Sequence, residues 1–291
     1  MSWADERDAR AVLGPGARFL ASGVTCAVYT DGRRVVRLAF PGQDARLTVE
    51  AAVRRALRGA GAPTPKVLEV GVLPPGRSFT VDTLATGDES GPSAAGWADL
   101  GRALAVLHAL PHSGCGLLED RADAFRGLAA TPVAGLLTRL EDPWPFGTTG
   151  LGAQPLIQAA PDLAAPLAGL EGELRGAVEG ATALCHTDLH GGQFRWRSGR
   201  LVALLDFGDA ASGPPAWDVA SLAYFHGWAA AQGVARAGAL PAGRGAALFG
   251  LLLAFHRASR ALPQGRLERI AEAVAFARGC LQRLAEVPES P

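Results

Sequence analysis

The sequence predicts an α+β protein: an N-terminal antiparallel sheet carrying one helix, then a larger and mainly helical C-terminal part. Three observations point there. Short β-prone runs separated by turn residues fill the first 90 positions. From Trp97 onward apolar residues recur at helical spacing. One brief β signal, Phe194 to Leu205, interrupts those helices and is flanked by polar residues that packing does not call for.

The elements follow in order. Arg18 to Ala21 is a short strand. Cys26 to Thr30 and Arg33 to Ala39 flank Asp31-Gly32, a dipeptide that tolerates positive φ and so marks a hairpin. A helix is predicted over Asp44 to Arg58, ended by Gly59 and Gly61 and kept from continuing by Pro63 and Pro65. Val67 to Val72 and Ser78 to Leu84 read as strands joined by Pro74-Pro75-Gly76. Residues 85–96 are rich in Gly, Ser, Thr and Pro, which places a boundary there and predicts lobes over 1–90 and 91–291. Helices are then predicted over Trp97 to Leu110 and around 121–140, 162–179, 216–232, 243–261 and 266–285, with a loop at 141–160.

Composition narrows the function. The 291 residues hold 28 Lys plus Arg and 28 Asp plus Glu, a formal charge of zero. A nucleic-acid binder needs surplus cations to displace counterions, and a membrane-surface patch needs a basic run, so neither partner is expected. Four scattered cysteines lack metal spacing and suit a reducing cytosol. The charged start, Met-Ser-Trp-Ala-Asp-Glu-Arg-Asp, lacks a signal-peptide core, and the apolar run Gly245 to Phe255 is too short to span a bilayer. A cytoplasmic protein is the expectation; the oligomeric state has no signature. Lys66 is the sole lysine.

The polar residues around the late hairpin carry the chemistry. His186-Thr-Asp188-Leu-His190-Gly-Gly-Gln193 precedes it, and Leu205-Asp206-Phe207-Gly208-Asp209 follows. A hairpin between them lets both acids reach one mouth. Two carboxylates and an amide form a hard-oxygen set suited to Mg²⁺. His186, Asp188 and His190, spaced by two, also allow a metal-dependent hydrolase, although Gly191-Gly192 argues for a loop there.

The pattern His186…Asp188…Gln193 followed by Asp206-Phe207-Gly208 resembles the aminoglycoside phosphotransferase family, whose fold is a two-lobed, protein-kinase-like one. The resemblance runs in order through Val35-Val-Arg37-Leu, Glu50, Leu107-His-Ala-Leu110 and Asp218-Val-Ala. It implies an ATP-dependent (GTP possible) phosphotransferase acting on a hydroxyl of a small molecule. Asp188 is then the catalytic base, and Asp206 and Gln193 are the Mg²⁺ ligands. Gln193 departs from the family's usual Asn, which bears on a second metal and leaves a silent nucleotide-binding module as the alternative.

The family's strand lysine is replaced. Lys66 lies past the helix, so Arg37 is the residue that could meet phosphate, or fork onto Glu50 thirteen residues on. The resemblance also implies that Ser22, Gly23, Val24 and Thr25 cover the phosphates, with an ordinary turn as the alternative. Asp82, Thr83 and Leu84 would offer backbone groups to the adenine. Asp218 is read as bracing the catalytic loop or capping the next helix. Val219 to Leu267 contains five Arg and no acid, which favours a neutral, apolar or anionic alcohol over a polycationic aminoglycoside.

Overall fold

Alternation of side chains builds the first sheet. The computed structural model describes residues 3–286. Five antiparallel strands lie in the order β1–β2–β3–β5–β4: β1 (Arg18–Ser22), β2 (Cys26–Thr30), β3 (Arg34–Ala39), β4 (Val67–Leu73) and β5 (Arg77–Thr83). Val36 and Leu38 of β3 point to one face and pack with Tyr29, Phe79 and Val81. A helix with no counterpart in the sequence reading, α1 (Trp3–Leu13), covers that face with Ala9 and Leu13. Arg77 anchors it by pairing with Asp5 at 2.6 Å and Asp8 at 3.0 Å. Arg37, between Val36 and Leu38, points to the opposite face, as period-two alternation requires, and meets α2 (Leu47–Gly59) there.

The β2–β3 turn differs in detail from the sequence prediction. Only Gly32 takes positive φ. Asp31 instead accepts hydrogen bonds from the backbone N–H groups of Arg33 and Arg34, and these hold its carboxyl down at about 2. A second hairpin, β9 (Phe194–Arg197) and β10 (Arg200–Leu204), turns at Ser198 and Gly199, both with positive φ.

The chain forms two compact units. The first comprises Met1–Gly96, Glu119–Phe125 and Gly192–Gly208; the second holds Trp97–Leu118, Arg126–Gly191 and Asp209–Pro291. The sequence places one cut after residue 90. The late hairpin belongs with the first unit because its backbone is hydrogen-bonded there: Leu204 N–H donates to Pro63, Asp88 N–H to Trp196 and Ser93 N–H to Gly199.

In the second unit, short strands form a sheet that the hydrophobic pattern does not reveal. Its order is β7–β6–β11–β8, from β6 (Cys115–Leu118), β7 (Gly127–Ala129), β8 (Ala183–Cys185) and β11 (Ala211–Gly213). The helix predicted over 121–140 is therefore β7 followed by α4 (Pro132–Arg139). A Cβ at Gly127 would collide with the Cys115 backbone, so only glycine lets those strands approach. The helix predicted at 162–179 is two pieces, α6 (Ala164–Ala168) and α7 (Glu171–Val178), and the 141–160 loop contains α5 (Pro155–Ala159). The long helices are α3 (Ala94–His108), α8 (Ala216–Gly238), α9 (Arg244–Ala261) and α10 (Leu267–Glu286). Helix α8 breaks at Gly227, which takes φ 80° and ψ 160°. Helix α9 is buried almost throughout from Ala246 to His256. Among the described residues no helix is long and apolar enough to cross a membrane.

Candidate active site

In the first unit a buried ion network forms on the α2 face of the sheet. Arg37 Nη1 donates to Glu50 Oε1 at 2.6 Å and to Oε2 at 2.5 Å. One helical turn on, Arg54 donates to Asp82 on β5 at 2.8 Å and lies 3.8 Å from Glu50. Burial alone would raise the Glu50 carboxyl. The Arg37 and Arg54 guanidinium groups and the Phe207 N–H reverse that and hold it below the usual range. The network is not saturated, since Nε and Nη2 of Arg37 are buried without a hydrogen bond. Nη2 faces Asp82 Oδ2 at 3.9 Å, and the side chain as a whole is 15% exposed.

Asp206 approaches the same network. The Phe207 N–H bonds Glu50, and the negative charge of Asp206 helps to raise the pKa of Arg37. Asp206 is exposed and sits at φ 58°, a left-handed conformation that a non-glycine residue adopts only when its surroundings enforce it. Gln193 is buried and donates its amide nitrogen to Asp206 Oδ2 at 3.1 Å. An exposed carboxylate beside an amide is an oxygen-rich donor set that fits a divalent cation once the amide turns its oxygen inward.

Ser22 to Thr25 form the β1–β2 turn. The Gly23 N–H donates to the Cys26 carbonyl, and Val24 at the tip is 84% exposed. At the β5 end two of the backbone groups assigned to adenine are already engaged. The Thr83 N–H is held by the Lys66 carbonyl and the Leu84 N–H by the Arg33 carbonyl, while the Asp82 side chain belongs to the ion network. Those backbone donors serve the sheet, not an open edge.

Asp188 lies in the second unit, on the loop after β8. Its Oδ1 accepts a hydrogen bond from Arg257 Nη2 of α9 at 2.9 Å. Its Oδ2 is 3.8 Å from His190 Nε2 and has no hydrogen bond among the described residues. Burial pushes this carboxyl up. Arg257 and Arg139 overcome that and hold it below the ordinary Asp range, so it is ionised. The preceding Thr187 is at φ 68°, a second enforced left-handed residue.

Asp218 fixes the loop from below. It accepts hydrogen bonds from the N–H groups of His186 at 3.0 Å and Thr187 at 2.8 Å and pairs with His108 Nε2 at 2.9 Å. The Leu189 N–H donates to Ser221, and the Leu189 carbonyl meets His226 Nε2. Thus Asp218 braces the loop, and His108, which has no motif of its own, is its partner. The His186, Asp188 and His190 trio does not converge as a metal site. Among the described residues the metal-capable cluster is His108, Cys185 and Asp218, whose carboxylate is already engaged by the loop.

Sequence reasoning missed Arg54, Asp82's role as its partner and Arg139; it counted Arg257 among the arginines of the substrate-facing segment but not as the partner of Asp188. Arg54 falls four residues after Glu50, a helical-face spacing that signals a shared partner. Arg257 ends an apolar run in a segment with five arginines and no acid, but neither sign points to Asp188.

Comparison with known proteins identifies the family and the fold. A family model described as the phosphotransferase enzyme family matches residues 18–262. No curated protein sequence matches. Among solved structures, a thermostable mutant of aminoglycoside phosphotransferase APH(4)-Ia, in ternary complex with AMP-PNP and hygromycin B, is similar. Its TM-score is 0.67 at 17% identity, covering 96% of this chain and 98% of that one. The GDP complex of aminoglycoside 2'-phosphotransferase-IIIa aligns with a TM-score of 0.62 at 18% identity over 91% and 92% of the two chains. The gentamicin complex of APH(2")-IIa gives 0.62 at 14% identity over 96% of each. These likenesses establish the kinase-like α+β fold, and with the family match over most of its length they make this chain a member of the phosphotransferase enzyme family.

Proposed function

We propose that this protein transfers the γ-phosphate of a nucleoside triphosphate, ATP or GTP, to a hydroxyl of a small molecule. The observation that carries the reading is Asp188: an ionised carboxylate on a braced loop, with one oxygen fixed by Arg257 and the other open. The related structures with AMP-PNP and GDP support the nucleotide.

Asp188 Oδ2 receives the acceptor hydroxyl and aims its oxygen at phosphorus. Because its pKa is depressed, Asp188 orients rather than deprotonates the resting alcohol. The proton passes to it only as the new O–P bond forms and the bond from phosphorus to the β-phosphate bridging oxygen breaks, its electron pair leaving on the nucleoside diphosphate. Arg37, held by Glu50, supplies a fixed positive charge for the phosphates; its Nε and Nη2 are buried, so direct bonds to phosphate oxygens require the guanidinium to be uncovered. The Ser22–Thr25 turn, exposed at Val24, covers the phosphates with the backbone N–H groups that remain beside the Gly23 N–H, which is held by Cys26. Mg²⁺ fits Asp206 and Gln193, and when bound it neutralises phosphate charge. With the Thr83 and Leu84 N–H groups engaged in the sheet, adenine must be met by other backbone groups around the end of β5.

The test is Asp188→Asn. Transfer to an acceptor should fall about 10²- to 10⁴-fold while the affinity for AMP-PNP is retained. Unchanged turnover would remove Asp188 from the chemistry.

A further inference from the structure

The second unit surrounds Asp188 with arginine, and that surplus is not needed for phosphoryl transfer as such. Arg257 is held flat: its guanidinium lies 4.8 Å from the Phe225 ring centroid and 5.4 Å from that of Tyr224, with Nη2 on Asp188. Its Nε and Nη1 make no hydrogen bond among the described residues. Arg260 follows three residues later on the same helix, so it shares that face. It is exposed and has no carboxylate partner among the described residues. Behind them Arg139, whose side chain is 7% exposed, bonds Thr187 Oγ1 at 3.2 Å and Asp209 at 2.8 Å.

Three guanidinium groups thus face two carboxylates, Asp188 and Asp209, which leaves one positive charge unmatched. The nearby titratable groups do not cancel it. His256 is kept neutral, chiefly by burial and then by these same arginines. Glu272 and Arg269 carry opposite charges and act on Tyr224 in opposite senses, after burial and Arg257. An ammonium group placed here would meet like charge in a partly desolvated site.

We propose that the acceptor carries an anionic group, a carboxylate or a phosphate monoester, received by the free donors of Arg257 and by Arg260. The inference rests on reading Asp188 as the residue that meets the acceptor hydroxyl. With the hydroxyl at Oδ2 and the anion on the guanidinium that holds Oδ1, the two groups of the acceptor lie close together, as in a hydroxy acid, a sugar acid or a polyol phosphate. Arg257 presents a planar fork, which suits two-point capture of such oxygens.

The experiment measures nucleoside diphosphate release with a charge-graded hydroxyl library that includes glycerate, glycerol 3-phosphate, glycerol, 3-amino-1,2-propanediol and kanamycin, plus larger members of each class. Anionic acceptors should exceed their neutral and cationic counterparts by about tenfold or more in kcat/KM, with KM rising as salt is added. Comparing the carboxylate with the phosphate arm tells which anion is preferred. Arg260→Glu, and the milder Arg260→Gln, should lower kcat/KM for the anionic acceptor, the former by about 10- to 100-fold, with little change for a neutral one. Preferred turnover of neutral or cationic alcohols overturns the anionic class and leaves the phosphotransferase reading standing. No turnover with any acceptor, together with no binding of AMP-PNP, removes both.

Discussion

At the scale of single residues, charge and burial decide behaviour. His256 is buried, and its Nδ1 accepts the Glu141 N–H at 2.8 Å. Burial first, then Arg139, Arg257 and Arg260, drives its pKa well below 6.5. The folded state therefore resists protonation where the unfolded state accepts it. Stability should fall as pH drops below 6.5, by up to about 1.4 kcal/mol per pH unit from this group. Chemical melts between pH 7 and 5 check this, and His256→Asn should flatten the slope while keeping an acceptor for Glu141. At Asp188 burial acts in the opposite sense, raising a pKa that the arginines lower. Removing the guanidinium in Arg257→Gln lets burial dominate, so its pKa should rise and the acid limb of the pH–rate profile should move to higher pH. A profile that stays in place would show that Asp188 is not the group titrating. The motif residues were readable because acids in fixed order around two glycines are rare accidents. Their partners were not, because ion pairs such as Arg257 with Asp188 and Arg54 with Asp82 join positions 69 and 28 residues apart.

At the scale of elements, close approach and ion pairing hold the pieces. Arg54→Met would leave Asp82 buried between α2 and β5 without its hydrogen-bonded partner and with only Arg37 at 3.9 Å, at a cost of up to about 3–5 kcal/mol by urea melting. Gly116 makes a comparable point on β6. It has φ 83°, and a Cβ there would collide with the Gly135 carbonyl and Thr138 Oγ1 of α4. Gly116→Ala should destabilise by about 2 kcal/mol or more, since the contact is with backbone and cannot swing away. Long elements were legible for a physical reason: β2, β3, α9 and α10 are extensive enough for their period to show. Strands β7, β8 and β11 have three residues each, too few for any alternation to show. Helix α1 escaped because its charged residues obscure an apolar stripe whose value appears only when Ala9 and Leu13 meet the sheet.

At the scale of the whole molecule, the chain crosses between its two units several times. Residues 192–208 return to the first unit while Asp188 stays in the second, so no single cut separates the candidate residues. A composition shift near residue 90 is visible in the sequence, but it cannot report such a return. A nucleotide that binds only the folded chain should raise its stability by about 2.7 kcal/mol at a hundredfold excess over Kd, measurable as a shift in Tm with AMP-PNP. Zero formal charge at pH 7 also predicts that solubility is lowest near neutrality and improves on either side.

The replacement of a strand lysine by Arg37 has a practical corollary. Amine-acylating nucleotide reagents, which report kinase-type sites by tagging a lysine, would find no amine at that position. The one lysine side chain they could modify is Lys66, which is exposed and sits just before the edge strand β4. The same scarcity makes Lys66 a ready address for attaching a single fluorophore.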